Sequence, residues 1–150
     1  MQSNRDFRDL FQCLNETGAK YLVVGAYAVI YHSEPRYTKD LDIWIEATPE
    51  NAQKVWDALV KFGAPLGDLT VNDLSDSDII YQMGVIPNRI DIMMDIEGVR
   101  FSEAWENRFA STYEDQPIYV LGRDDTIRAK RTSAREQDLL DVKRLENAKK

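Results

Sequence analysis

Residues 23–45 constrain the fold more than any other part of the chain. Val23 and Val24 end a short apolar strand, Gly25 releases the chain into a helix across residues 26–31, and Pro35 ends that helix before a second strand over residues 41–46. Asp40 and Asp42 alternate with Leu41, Ile43 and Ile45. In an extended chain the two carboxylates therefore leave one face, about 7 Å apart, and the apolar row leaves the other. Like charges held that close are unfavourable unless a cation lies between them, so the pattern points first to a divalent metal site.

Around this unit the chain reads as further helices and strands. Phe7, Leu10, Phe11 and Leu14 recur at helical intervals, Ser3 and Asp6 have capping-box spacing and Gly18 is a stop, which predicts an amphipathic helix over residues 4–17. Thr48, Pro49 and Glu50 open a helix that buries Val55, Trp56, Leu59 and Val60 and closes at Gly63. Residues 64–78 read as a loop with one helical turn. Residues 79–83 and 89–95 read as an antiparallel strand pair, with Ile90, Ile92 and Met94 on one face and Asp91, Met93 and Asp95 on the other. Ser102 is placed to cap a short helix carrying Ala104 and Trp105, and residues 118–121 form a late strand. Helices near 125–131 and 137–148 finish the chain, the last burying Leu139, Leu140, Val142 and Leu145.

A length of 150 residues with 43% apolar content suits one domain, residues 1–150, around one core. No run reaches the roughly 18 apolar residues of a membrane span, and the polar start lacks the apolar centre of a signal peptide. A cytoplasmic protein with no membrane partner is expected. The single cysteine, Cys13, excludes an internal disulfide and a cysteine zinc cage. A formal net charge of −7 argues against a broad basic surface that wraps nucleic acid. The basic residues nevertheless crowd the last part of the chain, where they could supply cations to an anionic ligand.

A third carboxylate changes the weight of the first pair. If the strand of Asp91 lies beside that of Asp40 and Asp42, three acids converge on one face without a nearby histidine, a hard oxygen site suited to Mg2+ or Mn2+ rather than zinc. Two-metal phosphoryl transfer uses such a site. Gly25 supplies the complementary half, because a strand ending in glycine before a helix lets backbone N–H groups approach a triphosphate.

Val24-Gly25-Ala26, then Asp40-Leu41-Asp42-Ile43, then Ile90-Asp91-Ile92, resemble the signature of the nucleotidyltransferase superfamily related to polymerase beta. More narrowly, with residues 36–42, 81–91, 101–105 and 130–142, the chain resembles small bacterial nucleotidyltransferase-like proteins allied to abortive-infection type IV toxins. The resemblance implies an α/β (α+β) nucleotidyltransferase fold, a short mixed sheet with helices packed mainly on one side. It implies magnesium-dependent transfer of a nucleoside monophosphate from a nucleoside triphosphate to a hydroxyl of an RNA, protein or small-molecule acceptor. A toxin–antitoxin setting would add an antitoxin or other partner protein. Asp40 and Asp42 become metal ligands, Asp91 a third ligand or a general base, and Gly25 a phosphate contact. The family's first motif usually carries a second glycine or a serine where this chain has Ala26, which keeps the backbone N–H and removes one hydroxyl donor.

Simpler readings stand beside these. Arg36 and Lys39 could hold a phosphate or only neutralise the acids, and Lys130 and Arg135 are candidate triphosphate or acceptor contacts or members of a solvated basic face. Asp95 reads as a surface charge, Asp138 and Asp141 as surface acids that pair with Arg135 and Arg144, and His32 as structural. The competing reading of the whole is a catalytically degenerate fold that binds a nucleotide or partner as a regulatory module.

Overall fold

Alternation of apolar residues decides which face of each strand is buried, and register then decides which polar residues meet. The computed structural model describes residues 4–34, 40–84 and 89–148. Among them six strands form one mixed sheet: β1 (Tyr21–Val24), β2 (Asp40–Ile45), β3 (Ile80–Met83), β4 (Arg89–Met93), β5 (Phe109–Tyr113) and β6 (Gln116–Val120). Their order is β3-β4-β2-β1-β6-β5, with β2–β4 and β1–β6 parallel and the other neighbours antiparallel. The helices are α1 (Arg5–Thr17), α2 (Gly25–His32), α3 (Pro49–Phe62), α4 (Phe101–Glu106), α5 (Arg123–Ser133) and α6 (Glu136–Asn147). This is the expected mixed sheet with helices, but they cover both of its faces rather than mainly one, and none of the described helices is long and apolar enough to cross a membrane.

Helices α1 and α3 pack on each other and cover the sheet face that carries Leu41, Ile43 and Ile45, all fully buried. Phe11 stacks on Tyr21 at 5.8 Å, and Tyr21 pairs with Ile45 across β1 and β2. On the opposite face Trp44 is sealed by α4, whose Phe101 meets it edge-on at 5.1 Å and stacks in turn on Trp105. The apolar end of β2 is thus closed from both sides. Its acidic end faces the layer of α2, α5 and α6, which is held by a second apolar cluster of Val29, Ile127, Val142 and Leu145. His32 is buried in that layer with Nε2 2.7 Å from the Leu121 carbonyl, the structural role expected of it.

Several local expectations are corrected. Asn4 caps α1, its Oδ1 accepting from the backbone of Asp6 and Phe7, while Ser3 lies outside the described residues. Helix α4 begins at Phe101, so Ser102 is inside it and is no cap. Strand β5, unanticipated, hairpins onto β6. Val60 is exposed rather than buried. In α6 the buried face is Asp138, Asp141, Val142 and Leu145, which leaves Leu139 and Leu140 exposed. A buried ion cluster, described below, turns the helix that way.

Asn51 ties the first turn of α3 to the ends of β1 and β2. The buried side chain accepts from the Lys20 N–H at 2.8 Å and donates to the carbonyls of Lys20 at 3.0 Å and Glu46 at 2.9 Å, where β1 begins and β2 ends. Asn51→Ala takes this partner from the Lys20 N–H and the Glu46 carbonyl, while the Lys20 carbonyl still accepts from the Glu46 N–H at 3.3 Å, and is expected to lower unfolding free energy by about 1–3 kcal/mol. A urea denaturation midpoint close to that of the wild type contradicts this account.

Candidate functional site

The site is made by strand register. Leu41 lies opposite Ile90 and Ile43 opposite Ile92 in the parallel β2–β4 pair, and a slip of one residue would turn both apolar rows to the wrong face. The same register sets Asp42 directly opposite Asp91 and Asp40 opposite Arg89. On the other side of β2, Val24 pairs with Asp42, which brings the start of α2 against the same carboxylate. The three acids expected from the sequence therefore share one face at neighbouring positions.

Gly25 is required here twice over. Its φ of 66° is left-handed, a conformation that favours glycine, and a Cβ at this position would lie 2.2 Å from Asp42 Oδ2 and 3.0 Å from Asp42 Cβ. The close approach presses the entry of α2 onto the carboxylate and fixes where it points. Val24, the N-cap of α2, makes no side-chain capping bond, so no side chain at the cap position competes for the first backbone N–H groups of the helix.

Charge is crowded at Asp42. Burial, followed by the negative charges of Asp91 and Asp40, pushes its pKa up to about 6, against the opposing pull of Lys130 and Arg89. Asp91 is held differently, because Arg89 grips it with both prongs, Nε to Oδ1 at 3.0 Å and Nη2 to Oδ2 at 3.1 Å. Among the described residues no three acidic, histidine or cysteine side chains gather closely enough to hold a metal ion. The expected triad of Asp40, Asp42 and Asp91 is thus aligned by the backbone without closing into a cage, and its third member is engaged by a guanidinium instead.

Beside Asp42 lies a cavity of about 250 Å3, walled by Val24, Gly25, Leu121 and Thr126 at the back and by Asp95, Glu97, Lys130 and Arg135 toward its mouth. Lys130 enters it from α5 with its ammonium between two carboxylates of α6, 3.3 Å from Asp138 and 3.4 Å from Asp141. Both acids are buried, which corrects their reading as surface charges, although the expected pairings with Arg135 and Arg144 are present. Burial pushes the Asp138 carboxyl up, but hydrogen bonds from Arg135 and Ser133 and the nearby Lys130 outweigh it and hold the group below the ordinary carboxylate range. These charges fasten α5 to α6 and hold Lys130 at the cavity.

The family described as "Nucleotidyltransferase of unknown function (DUF6036)" matches residues 5–149. The chain belongs to this family. Three solved structures share the fold of this nucleotidyltransferase family member at low identity. The lincomycin-bound lincosamide antibiotic adenylyltransferase LnuA matches at TM-score 0.60 and 15% identity, over 97% of each chain. A putative nucleotidyltransferase from Thermotoga maritima matches at TM-score 0.63 and 14% identity, over 95% of this chain and 91% of that one. An antigenic nucleotidyltransferase-like protein from Paracoccidioides brasiliensis matches at TM-score 0.56 and 14% identity, over 93% and 72%. No curated protein matches the chain.

In this member of the family the structure brings together Gly25, Asp40, Asp42 and Asp91, with Lys130 and Arg135 across the cavity and Ala26 in the first turn of α2. Arg36 and Lys39 lie outside the described residues. Arg89, Asp138 and Asp141 are not singled out by the sequence pattern as parts of a site. The alternation Arg89-Ile90-Asp91 already places the first beside the third acid, and the spacing of Asp138 and Asp141 with Val142 and Leu145 marks one helix face. The donor set itself, carboxylate oxygens of which one is unfavourably charged, fits a hard divalent cation such as Mg2+ or Mn2+.

The raised pKa of Asp42 has a testable sign. The folded state holds this proton more tightly than the unfolded chain, so the contribution to stability is full below about pH 4 and is lost as pH rises through about 6. Without added divalent cation, Asp42→Asn is expected to unfold at higher denaturant than the wild type at pH 7, by up to about 3 kcal/mol. The difference should shrink toward pH 4. Equal midpoints at both pH values contradict the crowding described here.

Proposed function

We propose that the protein is a Mg2+- or Mn2+-dependent nucleotidyltransferase that moves a nucleoside monophosphate from a nucleoside triphosphate to an acceptor hydroxyl. The observation that carries this is the pairing of Asp42 with Asp91 across β2 and β4 while Gly25 presses on Asp42 from the start of α2. Asp40, Asp42 and Asp91 would hold the cation, which when bound supplies Lewis-acid activation of the hydroxyl and neutralises the phosphates. The acceptor oxygen attacks the α-phosphorus, its bond to the β-phosphate oxygen breaks, and pyrophosphate leaves. The hydroxyl proton passes to a carboxylate oxygen, with Asp91 the base if it does not serve as third ligand.

The chain's other residues bind and orient. The N–H groups of Gly25 and Ala26 donate to phosphate oxygens at the start of α2. Lys130, fixed by Asp138 and Asp141, and Arg135 place positive charge along the triphosphate; Arg36 and Lys39, outside the described residues, stay candidate phosphate contacts on sequence alone. Among RNA, protein and small-molecule acceptors we favour a small hydroxylated molecule. The net charge of −7 weighs against RNA, and the fold is shared with LnuA, named for adenylylating lincosamide antibiotics.

A second reading, a nucleotide-binding regulatory module without turnover, draws on Ala26, where the hydroxyl donor is missing. Turnover separates the two. With Mg2+ and each α-labelled triphosphate, wild-type protein is expected to label a small-molecule, RNA or protein fraction of cell extract, and Asp42→Ala to lose at least a hundredfold of that rate. If Mg2+-triphosphate binds and no fraction is labelled, or if Asp42→Ala labels equally, the enzyme reading fails. A toxin role, with an antitoxin partner, further requires that expression of the wild type, and not of Asp42→Ala, arrests growth.

A further inference from the structure

Arg89 does not fasten elements together as the long-range and interhelical ion pairs of the molecule do. Arg8 grips Asp115 to fasten α1 to the β5–β6 turn, and Lys130 joins α5 to α6. The Arg89–Asp91 fork joins two residues of the same strand, separated by one position, and so ties no two elements together. Its placement instead serves the acids: three carboxylates and one guanidinium occupy four neighbouring positions of a single sheet face, with Arg89 opposite Asp40 and Asp91 opposite Asp42.

We propose that Arg89 is an internal counter-cation that competes with the divalent ion for Asp91 and must leave that carboxylate when the ion binds. The inference rests on the metal-site reading above. Both Asp91 oxygens are engaged by the fork, at 3.0 and 3.1 Å. A divalent ion bound to either oxygen at the ~2.1 Å of a magnesium–oxygen contact would lie within a few ångströms of the guanidinium, and two cations so close repel strongly in a partly buried site. Asp91 is the more buried partner and Arg89 the more exposed, 15% against 37% of the side chain, so the arginine is the member with room to swing away. Metal-free protein thus keeps its acids partly neutralised, and metal binding is held back until the ion outcompetes the guanidinium. Arg89 acts here as a positioning residue through Asp91.

Mn2+ alone, titrated against the whole chain and followed by the electron paramagnetic resonance signal of the free ion, tests this without any reaction. Arg89→Gln is expected to bind Mn2+ about tenfold more tightly than the wild type, with Arg89→Lys between them, and Asp91→Asn is expected to erase the gain when combined with Arg89→Gln. Equal or weaker binding by Arg89→Gln, with wild-type binding intact and lost in Asp42→Asn, overturns the role of Arg89 while leaving the metal site standing. No Mn2+ binding by either the wild type or Arg89→Gln overturns both. Should the variants fold poorly, the Arg89 Nε–H resonance of the wild type provides the second measurement. Its solvent exchange is expected to accelerate as Mg2+ saturates the protein, and an unchanged exchange rate at saturation overturns the proposal.

Discussion

The parallel pairing of β2 with β4 is the interaction on which the rest of the molecule depends. It is fixed by apolar side chains on one face, Leu41 and Ile43 against Ile90 and Ile92 beneath α1 and α3, yet its consequence is read on the other, where Asp42 faces Asp91. Because side chains alternate, burying one row places the other without any further instruction. Hydrophobic burial thereby holds like charges at neighbouring positions that they would not choose. Trp44, on the acidic face but sealed by Phe101, marks where that face stops being polar.

The charges that surround these acids are organised in two ways. Lys130 is anchored from behind by Asp138 and Asp141, so its position is set by a buried network that also fixes the rotation of α6 and leaves Leu139 and Leu140 outside. Among the described residues Arg89 is anchored to Asp91, a neighbour on its own strand. One cation is built into the frame, and the other is the one proposed to give way to a metal ion. Gly25 completes the arrangement by letting backbone reach the Asp42 carboxylate where a side chain would collide with it.

Much of this was legible in the sequence, and the parts that were not have physical reasons. The strand–glycine–helix–strand unit is legible because Asp40 and Asp42 alternate with Leu41 and Ile43 and Gly25 stands at a change of period. Asp91 is legible as a same-face acid for the same reason. Strand β5 is not, because most of its residues are exposed on both sides and so show no alternation, and its turn uses Glu114 at φ 53° in place of a glycine or asparagine signal. The burial of Asp138 and Asp141 is hidden because an acidic residue on a helix reads as solvated until its partner is known, and that partner, Lys130, comes from another helix. The adjacent leucines Leu139 and Leu140 then mislead, since hydrophobicity alone assigns them to the core. Arg89 escapes notice because nothing in the spacing says whether it points to solvent or back onto Asp91.

The most direct measurement is a crystal of the protein grown with Mn2+ and a non-hydrolysable triphosphate, with the metal located by its anomalous scattering. The account predicts an anomalous peak at the carboxylates of Asp40, Asp42 and Asp91, with phosphate oxygens at the N–H groups of Gly25 and Ala26 and the Arg89 guanidinium moved off Asp91. A triphosphate bound with its metal away from Asp42 and Asp91 would contradict it.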